Sequence, residues 1–158
     1  MRGTERLSSH AEVLLAKAGT VSQYGEKETI YSQGTAAHSI FYIREGVVML
    51  TVQSKQRRPA VVAVLGAGDF FNELCLLHHL RCRSTATALT SSSILAIKKK
   101  KVIRTLRREN GISTFFRTSL LCSVMRFRED LVDVLVNSSE QRLARALLRL
   151  AHLGANSR

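Results

Sequence analysis

Tryptophan is absent from this chain of 158 residues, and aromatic residues make up only 6% of it. Hydrophobic residues still account for 45%, so aliphatic side chains are expected to fill the core. No stretch reaches the roughly 20 apolar residues that a membrane-spanning helix requires, and the most apolar window, residues 60–77, is interrupted by Asp69, Asn72 and Glu73. Because the N-terminus also lacks the hydrophobic segment of a secretory signal, the sequence predicts a cytoplasmic protein without a membrane partner.

Cysteine is scarce and irregularly spaced, at Cys75, Cys82 and Cys122. No C-x-x-C pair occurs, although structural zinc sites and four-cysteine iron–sulfur clusters are commonly built on such pairs. The spacing therefore predicts three reduced thiols and no metal cofactor.

Positive charge is in large excess, with 24 Lys and Arg against 12 Asp and Glu and a formal net charge of +12. Such an imbalance indicates an anionic partner, such as nucleic acid or a phosphorylated ligand, or only a well-solvated basic surface. The charge is concentrated in the run Lys98–Lys101, which is followed by Arg104, Arg107 and Arg108. This run could follow a row of phosphates, or it could be one solvated helix face, and the sequence leaves both interpretations open.

Short strands separated by glycine-containing turns are predicted over residues 20–97. Residues 39–44 and 47–52 are predicted as a strand and its return strand across Glu45 and Gly46, and residues 84–89 and 92–97 as a further β-rich pair. Residues 59–65 form a continuous apolar run, which is typical of a strand buried on both faces. Short strands at this spacing favour a jelly roll, or double-stranded β-helix, over a parallel sheet.

Residues 98–136 are predicted to be helical, and apolar residues recur there in steps of 4, 3, 4 and 3. This is the heptad seam of a coiled-coil contact, and a second stripe has the same steps. We expect one stripe to pack on the β domain and the other on a second subunit; the alternative is one wide face buried within a monomer. The seam is Leu120, Val124, Phe127, Leu131 and Val134, and the second stripe is Leu121, Met125, Arg128, Val132 and Leu135.

One more helix is predicted after residue 137. Ser138 stands three residues before Gln141, the spacing of a reciprocal capping box at a helix start. The apolar residues behind it share one face, and Gly154 is suited to ending the helix. These apolar residues are Leu143, Ala146, Leu147 and Leu150.

Two segments, Gly68–Leu74 and Arg83–Ala88, resemble the phosphate-binding cassette of the cyclic-nucleotide-binding domain, including the interval from Glu73 to Arg83. Three flanking segments are similar to those of Crp/Fnr transcription regulators: residues 31–34, 41–46 and 137–145. The resemblance covers about residues 20–153. It implies a mainly β fold with α, in which a jelly-roll domain (the β-roll) is followed by a long dimerisation helix.

The resemblance also implies a binding site for a cyclic nucleotide such as cyclic AMP. Arg83 would grip the phosphate through two parallel charged hydrogen bonds, and Ser84 would donate another. Backbone amides at Glu73, Leu74 and Cys75 would point at the phosphate if a short helix begins there, and the Glu73 carboxylate would accept from the ribose 2′-hydroxyl. The alternative is that Glu73 and Arg83 only form an internal salt bridge.

The chain departs from the family pattern at two places in this site. Asn72 stands where the family usually has glycine, a residue that permits a positive φ; Asn is the next most tolerant of left-handed geometry. The helix positions that contact the base in cyclic-AMP-responsive members correspond to Phe127 and Arg128, where those members have small hydroxyl side chains. Phe127 either stacks on a base or belongs only to the seam, and its heptad position favours the seam.

The predicted organisation has four parts: an N-terminal arm or short helix (1–19), the β-roll (20–110), the dimerisation helix (111–136) and the first helix of a truncated DNA-binding domain (137–158). Family members continue into a helix-turn-helix that reads the major groove. DNA recognition is therefore expected only if that part is supplied.

The predicted function is the ligand-sensing, homodimeric and non-enzymatic module of a Crp/Fnr-type transcription regulator. One alternative is a ligand-free β-roll that serves only for dimerisation. A remote alternative is a metal-dependent cupin enzyme, because fold does not fix function. A cupin needs several histidines and a carboxylate from neighbouring strands, whereas here only His78 and His79 are close, and adjacent strand residues point to opposite faces.

Overall fold

The computed structural model describes residues 15–53, 58–77 and 81–138, together with residues 140, 141, 143–145, 147, 148 and 151. In chain order the described strands are β1 (Thr20–Tyr24), β2 (Thr29–Tyr31), β3 (Ser39–Glu45), β4 (Val48–Val52), β5 (Ala60–Leu65), β6 (Phe70–Phe71), β7 (Thr85–Ala88) and β8 (Ser92–Lys98). They form two antiparallel sheets of four strands each: sheet A in the order β1-β8-β3-β6, and sheet B in the order β2-β7-β4-β5. With the long helix that follows, this architecture confirms the predicted mainly β, jelly-roll fold.

Helical segments lie before, within and after the strands. Residues 15–18 are the described part of α1, and Glu73–Leu77 is a 3-10 turn, η1. Helix α2 spans Lys99–Arg108 and helix α3 spans Asn110–Val136. Within the described part of the chain, no helix combines the length and apolar character that a membrane crossing requires.

The single helical zone predicted from residue 98 to residue 136 is divided at Glu109. The backbone of Glu109 is extended, with φ −117° and ψ 94°, and its N–H donates to the Thr105 carbonyl at the end of α2. Asn110 and Gly111 follow directly, and both have low helix propensity. The chain can therefore change direction at this point, and α2 and α3 are separate helices.

The expected pairing of neighbouring strands is wrong. Strand β3 lies in sheet A beside β8 and β6, whereas β4 lies in sheet B beside β5 and β7. Strands β7 and β8 are divided between the two sheets in the same way. Between β3 and β4 the chain crosses at Gly46, which has φ 93° and where a Cβ would lie 2.6 Å from the Ser91 carbonyl oxygen. Local alternation identifies a strand, but it does not say which sheet the strand joins.

Strand β5 is not buried on both faces, as its continuous apolar run predicted. It is an edge strand of sheet B, paired with β4 alone among the described strands, and Val61 is 58% exposed. Pro59 stands just before the strand, at a position where a missing backbone N–H is tolerated at a sheet edge. An apolar run therefore indicated a strand here but not its burial.

The core has two parts, one between the two sheets and one between sheet A and the helices. Adjacent residues of β6 serve both, because Phe71 belongs to the first and Phe70 to the second. Phe70 packs edge-on against Phe116 of α3, with ring centroids 5.1 Å apart. The core is thus not filled by aliphatic side chains alone, since the few aromatic residues are concentrated in it.

Helix α3 packs on the β-roll through a face that belongs to neither of the two predicted stripes. Its buried residues are Ile112, Phe116 and Ser119, and the same steps of four and three continue to Ser123 and Arg126. Because this face becomes polar after Phe116, apolar periodicity could not reveal it. We expected one of the two predicted stripes to pack on the β domain, and this is wrong for most of the length of α3. Leu120, at the start of the seam, is the exception, since it is partly buried against the core. Beyond it, both stripes consist largely of exposed apolar side chains: Leu121, Val124, Met125, Phe127, Leu131, Val132, Val134 and Leu135.

The predicted capping box at Ser138 is confirmed. The Ser138 N–H donates to the Gln141 side-chain oxygen over 3.2 Å, and the Gln141 N–H donates to the Ser138 hydroxyl over 3.4 Å. Leu143 and Leu147 of the helix that follows are exposed. Ala146, Leu150 and Gly154, as well as most of the predicted N-terminal arm, lie outside the described residues.

Candidate functional site

Asn72 leads the chain from β6 into the turn η1 in the left-handed conformation, with φ 60°. Its side-chain amide donates to the Ser39 carbonyl over 2.8 Å, and its own carbonyl accepts from the Cys75 N–H over 3.2 Å. The side chain is thus held against β3, at a position where the backbone geometry is the kind that glycine adopts readily.

Glu73 begins η1 and is half-buried. Burial raises the pKa of its carboxyl group, and a hydrogen bond from its own backbone N–H partly offsets that rise. The ion pairs found among the described residues join Lys27 to Glu26, Arg126 to Asp69 and Arg145 to Asp133. The alternative of an internal Glu73–Arg83 salt bridge therefore does not hold in this structure.

Arg83 and Ser84 lie just before β7; Arg83 is exposed and Ser84 is half-buried. The Ser84 side chain forms a hydrogen bond with the hydroxyl of Tyr31, which lies at the end of β2. Burial raises the pKa of that hydroxyl, a hydrogen bond with the Ser84 side chain partly offsets the rise, and Cys82, Glu73 and Cys75 raise it further. Tyr31 therefore bonds to Ser84 in one half of the cassette and lies within electrostatic range of Glu73 in the other.

Three aromatic rings stack beside these groups. The centroid of Tyr31 lies 5.3 Å from that of Phe41 and 6.0 Å from that of Phe71, and Phe41 and Phe71 are 5.1 Å apart. The stack fixes the position of Tyr31 between the sheets. Sequence reasoning did not select Tyr31 as a site residue, and its only signal was its place in a segment that resembles the family.

Leu74 and Cys75 continue η1, and they differ in their exposure. Leu74 is exposed, whereas Cys75 is buried in the core, and its N–H donates to the Asn72 carbonyl. Burial raises the pKa of the Cys75 thiol, which favours the neutral form. The amides of Glu73 and Leu74 precede that of Cys75 at the start of the turn.

Phe127 and Arg128 are exposed on α3, and Phe127 is 65% exposed. Their neighbour Arg126 instead faces the β-roll, where its Nη2 donates to Asp69 Oδ1 over 2.6 Å. The same Nη2 also donates to the hydroxyl of Ser123 on α3 over 3.1 Å. Tyr31 thus hydrogen-bonds to Ser84 and lies within electrostatic range of Glu73 and Cys75, while the side chains of Arg83, Phe127 and Arg128 are exposed.

Asp69 is the point at which the cassette meets α3, and it is only 4% exposed. Its Oδ2 accepts from the Gly66 N–H over 3.1 Å, while its Oδ1 accepts from Arg126. Because Asp69 stands three residues before Asn72, this ion pair ties α3 to the strand that enters the site. The cassette motif includes Asp69 but gives no sign of its partner Arg126, which lies 57 residues further along the chain.

Within the residues that the structure describes, no group of three or more His, Cys, Asp and Glu side chains is arranged to hold a metal ion. His78 and His79, the pair considered for a cupin site, lie outside those residues.

Residues 21–109 match the family model of the cyclic nucleotide-binding domain. The chain is 24% identical over 132 residues to the cAMP-activated global transcriptional regulator CRP of Salmonella typhimurium, and the match covers 83% of this chain and 63% of that protein. The catabolite activator protein of Thermus thermophilus superposes with a TM-score of 0.66 at 22% identity, over 82% of this chain and 60% of that one. The c-di-GMP responsive regulator CLP of Xanthomonas campestris gives a TM-score of 0.71 at 14% identity, over 89% and 70% of the two chains.

The family model covers more than half of the chain, and it spans β1 to β8, the cassette and α2. The two solved structures are 22% and 14% identical to this chain, so they support its fold and no more than its fold. The chain therefore belongs to the cyclic nucleotide-binding domain family, and the predicted resemblance to regulators of the Crp/Fnr type is confirmed.

Proposed function

We propose that the chain is the ligand-sensing module of a Crp/Fnr-type transcription regulator, which binds a cyclic nucleotide at the cassette and dimerises through α3. The observation that carries the proposal is the grouping of Ser84 and Glu73 near Tyr31, with Asn72 in the left-handed conformation just before the turn. The grouping lies inside the segment matched by the family model.

The proposed contacts follow from the chemistry of the ligand. Arg83 is exposed and has no ion-pair partner among the described residues, so its guanidinium can form two parallel hydrogen bonds to a phosphate. Ser84 donates a further hydrogen bond, and the Leu74 amide at the start of η1 donates to the phosphate. The predicted phosphate contacts of the other two amides do not fit this structure, because the Glu73 N–H is bonded to its own carboxyl group and the Cys75 N–H to the Asn72 carbonyl. The Glu73 carboxylate accepts from the ribose 2′-hydroxyl.

The nucleotide itself is proposed to be cyclic AMP or a close analogue. The name of one relative refers to activation by cAMP, and the name of one structural neighbour refers to a response to c-di-GMP. Both ligands carry an anionic phosphate and ribose, so Arg83 and Glu73 suit either. Phe127 and Arg128 are proposed to meet the base, or to remain at the dimer seam, according to how two subunits pack.

The proposed partner of α3 is a second copy of the chain. The seam Leu120, Val124, Phe127, Leu131 and Val134 is mostly exposed in one subunit, and monomeric proteins rarely leave so continuous an apolar surface in water. This observation equally favours the second candidate function, a ligand-free β-roll that only dimerises. DNA recognition, a cytoplasmic location and the absence of enzymatic activity remain parts of the proposal for the whole regulator.

Calorimetric titration with cyclic AMP, cyclic GMP and cyclic di-GMP tests the site. We expect one of these nucleotides to bind. Arg83→Ala should weaken its binding free energy by about 2–5 kcal/mol, because the bound phosphate loses its counter-charge. This is about 30-fold to several-thousand-fold in affinity. Arg83→Lys, the matched control, should give an intermediate loss since it keeps the charge but not the paired hydrogen bonds.

The ligand-free candidate predicts a different result. A site filled at 100 times its dissociation constant adds about 2.7 kcal/mol to the free energy of unfolding. A melting temperature that does not move with any of the three nucleotides at millimolar concentration would favour the ligand-free β-roll.

A further inference from the structure

An open groove runs between the described part of α1 and the exposed side of α2. Its walls carry four cationic side chains and one carboxylate. The lining residues are Lys17, Ala18, Lys101, Arg104, Thr105, Arg108 and Glu109. None of them belongs to the proposed nucleotide site, so this groove is a separate feature of the molecule.

The three cations of α2 lie in one row. Lys101, Arg104 and Arg108 follow each other in steps of three and four, which places them on one helix face. At 1.5 Å per residue the row is about 10 Å long. Val102, about 100° round the helix from Lys101, is buried in the core, so the row is held on a fixed scaffold.

The positive charge of this row is not balanced from within the described part of the chain. Helix α2 contains six basic residues among ten and no acidic residue. None of Lys101, Arg104 and Arg108 takes part in the ion pairs that join described residues. Like charges three and four residues apart on a helix destabilise it, and a bound anion would offset that repulsion.

We propose that the groove binds the sugar-phosphate backbone of nucleic acid without reading its sequence. Its arginines can make paired hydrogen bonds to phosphate oxygens, and an open row of cations suits a linear array of phosphates. A small-molecule pocket would be enclosed and largely apolar. A protein-binding surface would offer aromatic or large apolar anchors, whereas the uncharged residues lining this groove are Ala18 and Thr105. The contact is independent of the nucleotide site and of any helix-turn-helix.

The test measures binding of the full chain to fluorescently labelled duplex DNA by anisotropy, over a range of salt concentrations. The variant Lys101→Glu/Arg104→Glu is compared with Lys100→Glu/Arg107→Glu. Each pair reverses one lysine and one arginine that are exposed on α2, so the change in net charge is the same, but Lys100 and Arg107 do not line the groove. We expect the groove variant to lower the slope of log affinity against log salt by about two, for two unrelated sequences alike, and the control to keep the parent slope.

A second variant, Glu109→Gln, removes the carboxylate from the groove and should tighten DNA binding. Circular dichroism would show whether charge reversal prevents folding. If it does, Glu109→Gln still tests the groove, because the Glu109 side chain makes no capping hydrogen bond to α3 and its replacement should not disturb the helix. Equal weakening by the two charge-reversal pairs, or unchanged binding by Glu109→Gln, would overturn the groove as the site. Displacement of DNA by poly-glutamate would instead indicate that the groove binds an acidic protein. Displacement by orthophosphate, beyond the effect of chloride at equal ionic strength, would indicate a small anion. Either result would overturn the proposal.

Discussion

At the scale of single residues, Asn72 shows how the cassette accepts a substitution at a glycine position. Its backbone has φ 60°, and its amide is anchored on the Ser39 carbonyl. Asn tolerates the left-handed region better than most residues with a side chain. The hydrogen bond to β3 also gives the side chain a place within the protein, so it need not occupy the space that the glycine of other members leaves open.

Glu73 is the residue at which stability and the proposed function oppose each other. Burial raises the pKa of its carboxyl group, because the charged form loses hydration. A carboxyl whose pKa is higher in the folded than in the unfolded state makes folding most favourable below both values. This contribution declines as pH rises through the unfolded and then the folded pKa, so at neutral pH the burial of Glu73 destabilises the free protein.

We therefore expect Glu73→Gln to raise the melting temperature of the ligand-free protein at neutral pH, and the gain to shrink in acid. The same change should weaken nucleotide binding less than Arg83→Ala does, because an amide oxygen still accepts from a hydroxyl. Thermal denaturation at several pH values, with and without nucleotide, measures both effects. A lower melting temperature at neutral pH would show that the carboxylate stabilises the free site.

At the scale of elements, α3 is held to the β-roll by an apolar beginning and a polar continuation. Phe116 packs on Phe70 of β6, and almost three turns further on Arg126 pairs with Asp69, just before the same strand. Both contacts therefore act on the strand that leads into the cassette.

A double-mutant cycle measures the second of these contacts. We expect Asp69→Asn and Arg126→Met each to destabilise the protein in urea, since each leaves the other residue without its counter-charge and Asp69 is buried. The coupling energy should be about 0.5–3 kcal/mol, the range for directly contacting groups. It belongs in the lower part of that range because more than a third of the Arg126 side chain is exposed and water screens the pair. Additive effects of the two changes would mean that the ion pair does not hold α3.

At the scale of the whole molecule, one subunit presents two unlike surfaces. The distal half of α3 is apolar on two stripes, while α2 and the described end of α1 form a basic groove. The first suits burial against another subunit, and the second suits a solvated polyanion. The two surfaces therefore have different proposed partners.

We expect light scattering of the parent chain at micromolar concentration to give twice the chain mass. Val124→Glu/Leu131→Glu should give a monomer, because it would bury like charges at the seam. The matched pair Leu121→Glu/Val132→Glu, on the second stripe, also replaces one exposed leucine and one exposed valine and should remain dimeric. A monomeric parent would contradict dimerisation through α3. If only the second pair of changes gave a monomer, the second stripe, and not the seam, would be the dimer contact.

The sequence by itself determined the jelly-roll class, most strand positions, the capping box at Ser138 and the two halves of the cassette. These features depend on local patterns: side-chain alternation, glycine and capping residues, and a motif with fixed spacing. Only the tertiary structure decided that β3 and β4 lie in different sheets, that β5 is an exposed edge, and that α3 packs through Ser119 and Arg126. Which sheet a strand joins and which helix face is covered depend on contacts distant in sequence, and a polar stripe held by an ion pair has no hydrophobic period by which it could be recognised.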